Sequence, residues 1–278
     1  MTQGLPGPGD DLASRAAEAV RTKTDLVPKV ALVLGSGLGP ALQHDLVPAA
    51  VLGYLELPGF PATAVPGHDG TLTLGTLADM PVMAFSGRFH LYEGHDPNVP
   101  ALLPRLAEAM GVTTIILTAA VGGLSPDLTA GTVIVVTDHV NFMGATPLQG
   151  WRAPDGTPAF VDTQEVYDAP LAELALARAG VLGISAEPGV YAAMRGPAYE
   201  TPAEVEFLGR AGGTVVGMSM VPEALPARAL GLRVLGLCSL TNALGTHISH
   251  EEVVRVANET AVAVGRLLTD LLPRMGGV

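Results

Sequence analysis

Cysteine is nearly missing from this chain of 278 residues: Cys238 is the only one. One cysteine cannot form an intrachain disulfide or build a cysteine metal cluster. It sits in the apolar run 233–240, where a thiol acts as a small inert hydrophobe. Aromatic residues are scarce, at 4%. The core must then be built from Ala, Val, Leu and Ile, which suits a parallel or mixed sheet covered by helices. Positive charge is also thin. Only Lys23 and Lys29 are lysines, and the formal net charge is −12. That excludes a general attraction to nucleic acid or to an anionic membrane. An anionic ligand would need a local pocket. No apolar run approaches the ~20 residues of a membrane span. The first eleven residues are Gly/Pro-rich and acidic, unlike a secretory signal. A cytoplasmic location is expected.

What is present alternates. Short apolar runs predict strands at 30–34, 71–77, 82–85, 113–118, 132–137, 189–194, 214–218 and 233–240. A helix is expected from Asp10 or Asp11 to Thr24, with Asp as N-cap. Others are expected at 99–110, 169–179, 202–211, 222–230 and 250–272. The alternation predicts an α/β fold, one domain over 1–278, with a central largely parallel or mixed sheet flanked by helices. Residues 1–10 read as a flexible lead-in. Residues 144–168 lack periodicity and read as a long loop of the kind that often carries function.

The densest chemistry follows the strand at 82–85: Gly87-Arg88-Phe89-His90-Leu91-Tyr92-Glu93-Gly94-His95. Ligands of α/β proteins bind beyond the carboxyl ends of strands. Arg88 and His90 are two apart, so an extended segment points both to one side. A guanidinium fork beside an imidazole suits an anion; a solvated loop is the plainer alternative. Nothing gives Glu93 or His95 a chemical role. The run Gly35-Ser36-Gly37-Leu38-Gly39-Pro40 is not a dinucleotide fingerprint, because Pro40 takes the last Gly position, and no Lys-Ser or Lys-Thr follows for a P-loop. It fits a tight turn or an oxyanion loop using the Ser36 hydroxyl. Thr118 to Gly123 is either a strand exit or a row of main-chain donors. Ser219 precedes a helix N-terminus, as a cap or as an anion ligand. Thr201 and Glu204 form a capping box, which leaves Glu200, beside Tyr199, unexplained. An aromatic face with a carboxylate suits a flat heterocycle carrying N–H donors. Asn242 ends the Cys238 strand, as a turn residue or as a grip on a base.

In order and spacing, GSGLG, PGHDG, GRFHLYEGH, DHVNFMG, GPAYETPAEV, VGMSMVPEA and SLTN resemble the trimeric purine nucleoside phosphorylases of the 6-oxopurine type, from about Lys29 to about Arg266. The resemblance implies phosphorolysis of inosine, guanosine and their deoxy forms, in purine salvage, by a homotrimer needing no metal or other cofactor. Phosphate would be held by Ser36, His68, Arg88, His90, the backbone of Ala120 and Ser219. Tyr92, Tyr199 and Met218 would line the sugar and base, and Glu200 and Asn242 would bind the purine. Catalysis would rest on Asn242, Glu200 and His90. Three positions depart from the family: Ala119 stands where Asn is common, Ala243 where some members have Lys, and Glu259 where some place a His on the ribose 5′-hydroxyl. His247 and His250 read as solvated loop residues. Phe160 is the candidate for an aromatic residue donated by a neighbouring subunit. A methylthioadenosine phosphorylase and a nucleoside-binding protein without catalysis are the competing readings.

Overall fold

A computed structural model describes residues 7–35, 38–42, 45–63, 69–244 and 250–277. Among these described residues, nine strands form one mixed sheet in the order β2-β3-β4-β1-β5-β8-β7-β6-β9, and β9 also pairs with β5. The strands are β1 (Val30–Leu34), β2 (Val47–Gly53), β3 (Thr71–Leu77), β4 (Met80–Ser86), β5 (Thr114–Gly123), β6 (Val133–Asn141), β7 (Ala186–Ala193), β8 (Val215–Gly217) and β9 (Arg233–Asn242). The β5–β9 pairing closes β5, β8, β7, β6 and β9 into a barrel-like ring, with β1 to β4 extending from it. The helices are α1 (Asp10–Arg21), α2 (Leu38–Leu42), α3 (Leu102–Ala109), α4 (Ala169–Leu182), α5 (Pro202–Arg210), α6 (Val221–Ala229) and α7 (His250–Leu271).

Period-two alternation in the central strands divides the core. In β1, Ala31 and Val33 join one apolar cluster and Val30, Leu32 and Leu34 the other. The first cluster packs α1, α3 and α6; the second packs α4 and α7. In α7, Ala261, Val264, Leu268 and Leu271 lie on that buried stripe, as a 3.6-residue period requires.

Local differences from the expected elements have local causes. Gly9, in the left-handed region, caps α1, and Asp10 instead lies in the first turn. There its carboxylate accepts from the Gly7 N–H and pairs with the buried Arg105. The Arg105 guanidinium stacks 3.7 Å from the Trp151 ring centroid, and burial lowers its pKa to about 10. The 144–168 loop is thereby pinned by Trp151 to the N-terminal segment. β2 carries no sequence alternation because it is an edge strand with mostly exposed side chains. β5 continues to Gly123, past the expected exit at Thr118, because β9 and then β8 give its small residues partners.

Candidate active site

Several strand ends meet where β1 leaves β5. β5 pairs with β1 up to Leu117 and with β8 only from Gly122. Among the described residues no strand covers that edge in between. β1 departs at Gly35, packed so closely that a Cβ there would lie 2.8 Å from the Thr118 carbonyl oxygen. The Thr118 hydroxyl fixes the junction: it accepts from the Gly35 N–H at 2.8 Å and donates to the Val33 carbonyl at 2.9 Å. Gly35→Ala is expected to cost about 1–3 kcal/mol through overpacking against backbone. Thermal unfolding checks this; a midpoint equal to that of the parent would show that the junction yields.

Arg88 fills the uncovered edge and is 1% exposed. Its Nε donates to Glu223 Oε1 at 2.9 Å. Its Nη1 donates to the Thr118 carbonyl at 2.5 Å and to Ser219 Oγ at 3.1 Å. Glu223 lies in α6, also at 1% exposure, so a buried cation faces a buried carboxylate. Ser219 is aimed by the turn that opens α6. The Val221 N–H donates to the Ser219 carbonyl at 2.8 Å, across Met220 at φ 64° and ψ −56°. This is a γ-turn of the strained hand. It persists because the Met220 side chain is fully buried in the core. From β7, the Tyr191 hydroxyl accepts from the Ser219 N–H at 3.1 Å and lies 3.4 Å from Ser219 Oγ. Burial raises the Tyr191 pKa, so the phenol stays protonated.

The segment after Arg88 turns into a single 3₁₀ turn, Leu91–Glu93. Glu93 Oε1 accepts from the His90 N–H at 2.8 Å and lies 3.2 Å from His90 Nδ1. His95 Nε2 stands 3.8 Å from the other Glu93 oxygen. Glu93, which the sequence leaves without a role, therefore orients the His90 ring. That ring stacks on Tyr92, with centroids 4.7 Å apart and planes at 15°.

Tyr92 and Met218 meet at Gly196. A Cβ at Gly196, whose φ is +66°, would lie 2.3 Å from Met218 Sδ and 3.2 Å from Tyr92 Cδ1. Burial, reinforced by the Glu93 charge, lifts the Tyr92 pKa to about 12. Tyr199 is exposed and Glu200 is half-buried. Burial raises the Glu200 carboxyl above the ordinary carboxylate range, with a small further push from Glu204. Asn242 closes β9 opposite Gly122, where a Cβ would come within 3.1 Å of its Nδ2. The Thr241 hydroxyl lies 3.0 Å from Asn242 Oδ1 and 3.1 Å from the Val121 carbonyl.

The fold thus gathers Arg88, Ser219 and the β5 edge holding Ala120, joins Tyr92 to His90 and Met218, and sets Asn242 at the end of β5. Among the described residues no hydrogen bond joins Glu200 to Asn242. Ser36, His68 and His247 lie outside the described residues, as does the His250 side chain. Glu259 pairs with Arg255 at 2.8 Å and lines a surface cleft with Val256, Thr260 and Ala130–Gly131. Phe160 is 94% exposed in the long loop. Sequence reading missed the buried polar supports Thr118, Tyr191 and Glu223. Their signal was a hydroxyl, a phenol and a carboxylate within otherwise apolar elements.

The sequence model of the phosphorylase superfamily matches residues 29–273. Purine nucleoside phosphorylase 1 of Bacillus subtilis is 41% identical over 262 residues, which are 93% of this chain and 96% of that protein. Isoform 2 of the purine nucleoside phosphorylase of Schistosoma mansoni, solved with cytosine and ribose-1-phosphate, superposes with a TM-score of 0.88 at 32% identity, covering 95% of this chain and 96% of that one. A schistosome purine nucleoside phosphorylase solved with hypoxanthine gives a TM-score of 0.87 at 30% identity, covering 95% and 97%. Similarity of this extent, on a chain whose strand ends gather in the way described, places the protein in the purine nucleoside phosphorylase family of the phosphorylase superfamily.

Proposed function

We propose that this enzyme phosphorolyses 6-oxopurine nucleosides, with phosphate at Arg88 and Ser219 and the purine between Glu200 and Asn242. The observation that carries the reading is the buried Arg88 guanidinium, aimed with Ser219 at the uncovered edge of β5. In an extended strand, the N–H and C=O groups of residues two apart leave on one edge. The Ala120 N–H therefore shares the edge of the Thr118 carbonyl and can donate to the same anion. His90, turned by Glu93, meets phosphate through its other ring edge. Ser36 and His68 complete the phosphate shell in this reading, inorganic phosphate is the co-substrate, and no further cofactor is called on.

Breaking the glycosidic C–N bond leaves positive charge on the ribose and sends the electron pair to the base. Phosphate stabilises that charge and then bonds to C1′, giving ribose 1-phosphate and free purine. Positioning and donors at the developing charges supply the rate. Tyr92, as a neutral phenol, and Met218 line the sugar, with Tyr199 over the base. Asn242 donates to purine N7 as charge gathers there. The Glu200 carboxylate accepts from N1–H of a 6-oxopurine, which adenine lacks. The enzyme works as a cytoplasmic homotrimer in this reading, with Phe160 reaching a neighbour's site. Release of hypoxanthine from inosine should far exceed release of base from methylthioadenosine; the reverse order overturns the Glu200 and Asn242 assignment.

Glu200 gives the pH test. Its pKa is raised by burial, so on acidification the carboxyl takes up a proton at a higher pH than the ordinary value of about 4.3. The protonated form loses acceptor strength toward N1–H. The advantage of the parent over Glu200→Gln in kcat/KM for inosine should be full at neutral pH and shrink as pH falls through the raised pKa. Taking the ratio of the two enzymes cancels the titration of phosphate itself. A ratio that stays constant as the pH is lowered to the ordinary carboxylate value removes Glu200 from that role.

A further inference from the structure

We infer that Tyr191 is a positioning residue for phosphate, which fixes the Ser219 hydroxyl as an outward donor; this rests on the proposed phosphate site. A proton count leads there. The Tyr191 hydroxyl is fully buried, and it accepts from the Ser219 N–H at 3.1 Å. Its own single proton has one acceptor within reach among the described residues, Ser219 Oγ at 3.4 Å. The opposite assignment would strand the buried phenol proton without a partner, which is costly. Ser219 Oγ also accepts from Arg88 Nη1 at 3.1 Å. A hydroxyl has two lone pairs and one proton. With both lone pairs filled, by Tyr191 and by Arg88, the Ser219 proton must be donated away from the protein, toward the anion.

The surrounding backbone is built to hold this arrangement. The γ-turn at Met220 fixes where Ser219 stands, and Gly217 leaves room for the phenol: a Cβ there would lie 2.3 Å from the Tyr191 hydroxyl oxygen. Tyr191 touches no substrate in this scheme. It acts through Ser219 alone, so its effect belongs to phosphate and not to the nucleoside.

The test is a double-mutant cycle in steady-state phosphorolysis of inosine, using the full chain. The parent is assayed first. Absence of phosphate-dependent turnover in the parent overturns the site reading and the inference together. With an active parent, Tyr191→Phe should raise KM for phosphate about tenfold and leave KM for inosine within about twofold. In a Ser219→Ala background the same change should have no further effect on KM for phosphate. A purely structural role would lower the unfolding midpoint and leave the phosphate KM unmoved. Either that pattern, or an undiminished Tyr191→Phe effect without the Ser219 hydroxyl, overturns the inference. If Tyr191→Phe does not fold, Gly217→Ala displaces the phenol without deleting it. It should raise the phosphate KM in the same selective way, and an unchanged phosphate KM overturns the inference.

Discussion

Asn242→Ala is expected to lower kcat for inosine phosphorolysis by about 10²–10³-fold, while KM for inosine moves only a few-fold. The reason lies in when its hydrogen bond matters. Purine N7 is a modest acceptor in the intact nucleoside and a strong one once the C–N electron pair enters the ring. A donor placed there binds the transition state better than the substrate, and its loss falls on turnover. The amide is held in place at the end of β9. Its Oδ1 lies 3.0 Å from the Thr241 hydroxyl, and its Nδ2 stands over the bare backbone of Gly122. Steady-state kinetics with saturating phosphate measure both parameters. A variant with parental kcat and a weakened KM would show that Asn242 only binds the nucleoside.

Glu223→Ala is expected to destabilise the protein by about 3–5 kcal/mol, because it leaves the Arg88 charge buried without its carboxylate. For a chain of this size that is a fall of about 5–9 °C in the unfolding midpoint. The phosphate site should fail with it, since the Glu223 bond at 2.9 Å holds the guanidinium in place. Thermal unfolding and the phosphate KM are the two readouts. Removing both partners, in Arg88→Met with Glu223→Ala, should destabilise less than the sum of the single changes. A midpoint within about 2 °C of the parent for Glu223→Ala would contradict a tightly coupled buried pair.

The central strands were legible because each alternates between two buried faces, so β1, β4 and β9 read directly as apolar runs. β2 was not, because exposed Val47 and Val51 on an edge strand leave no pattern. The polar candidates at strand ends stood out for the same reason that the core did: Arg88 and Asn242 interrupt or close apolar runs. Their supports were harder to read. Thr118 acts through bonds to neighbours that only the folded chain brings close, 83 residues apart for Thr118 and Gly35. Tyr191 and Ser219 are 28 apart in sequence and meet through the parallel pairing of β7 with β8. Spacing carries such meetings only when the topology is known. Glu259 shows the converse. Its position suggests a sugar contact only by resemblance, and in the fold it pairs with Arg255.

The most direct test of the account is to incubate the purified enzyme with inosine, with and without inorganic phosphate, and to follow hypoxanthine and ribose 1-phosphate. The account predicts both products in equal amounts, formed only when phosphate is present and abolished or strongly slowed in Arg88→Met. No release of hypoxanthine from the folded enzyme with phosphate, or release that proceeds equally without it, would contradict the account.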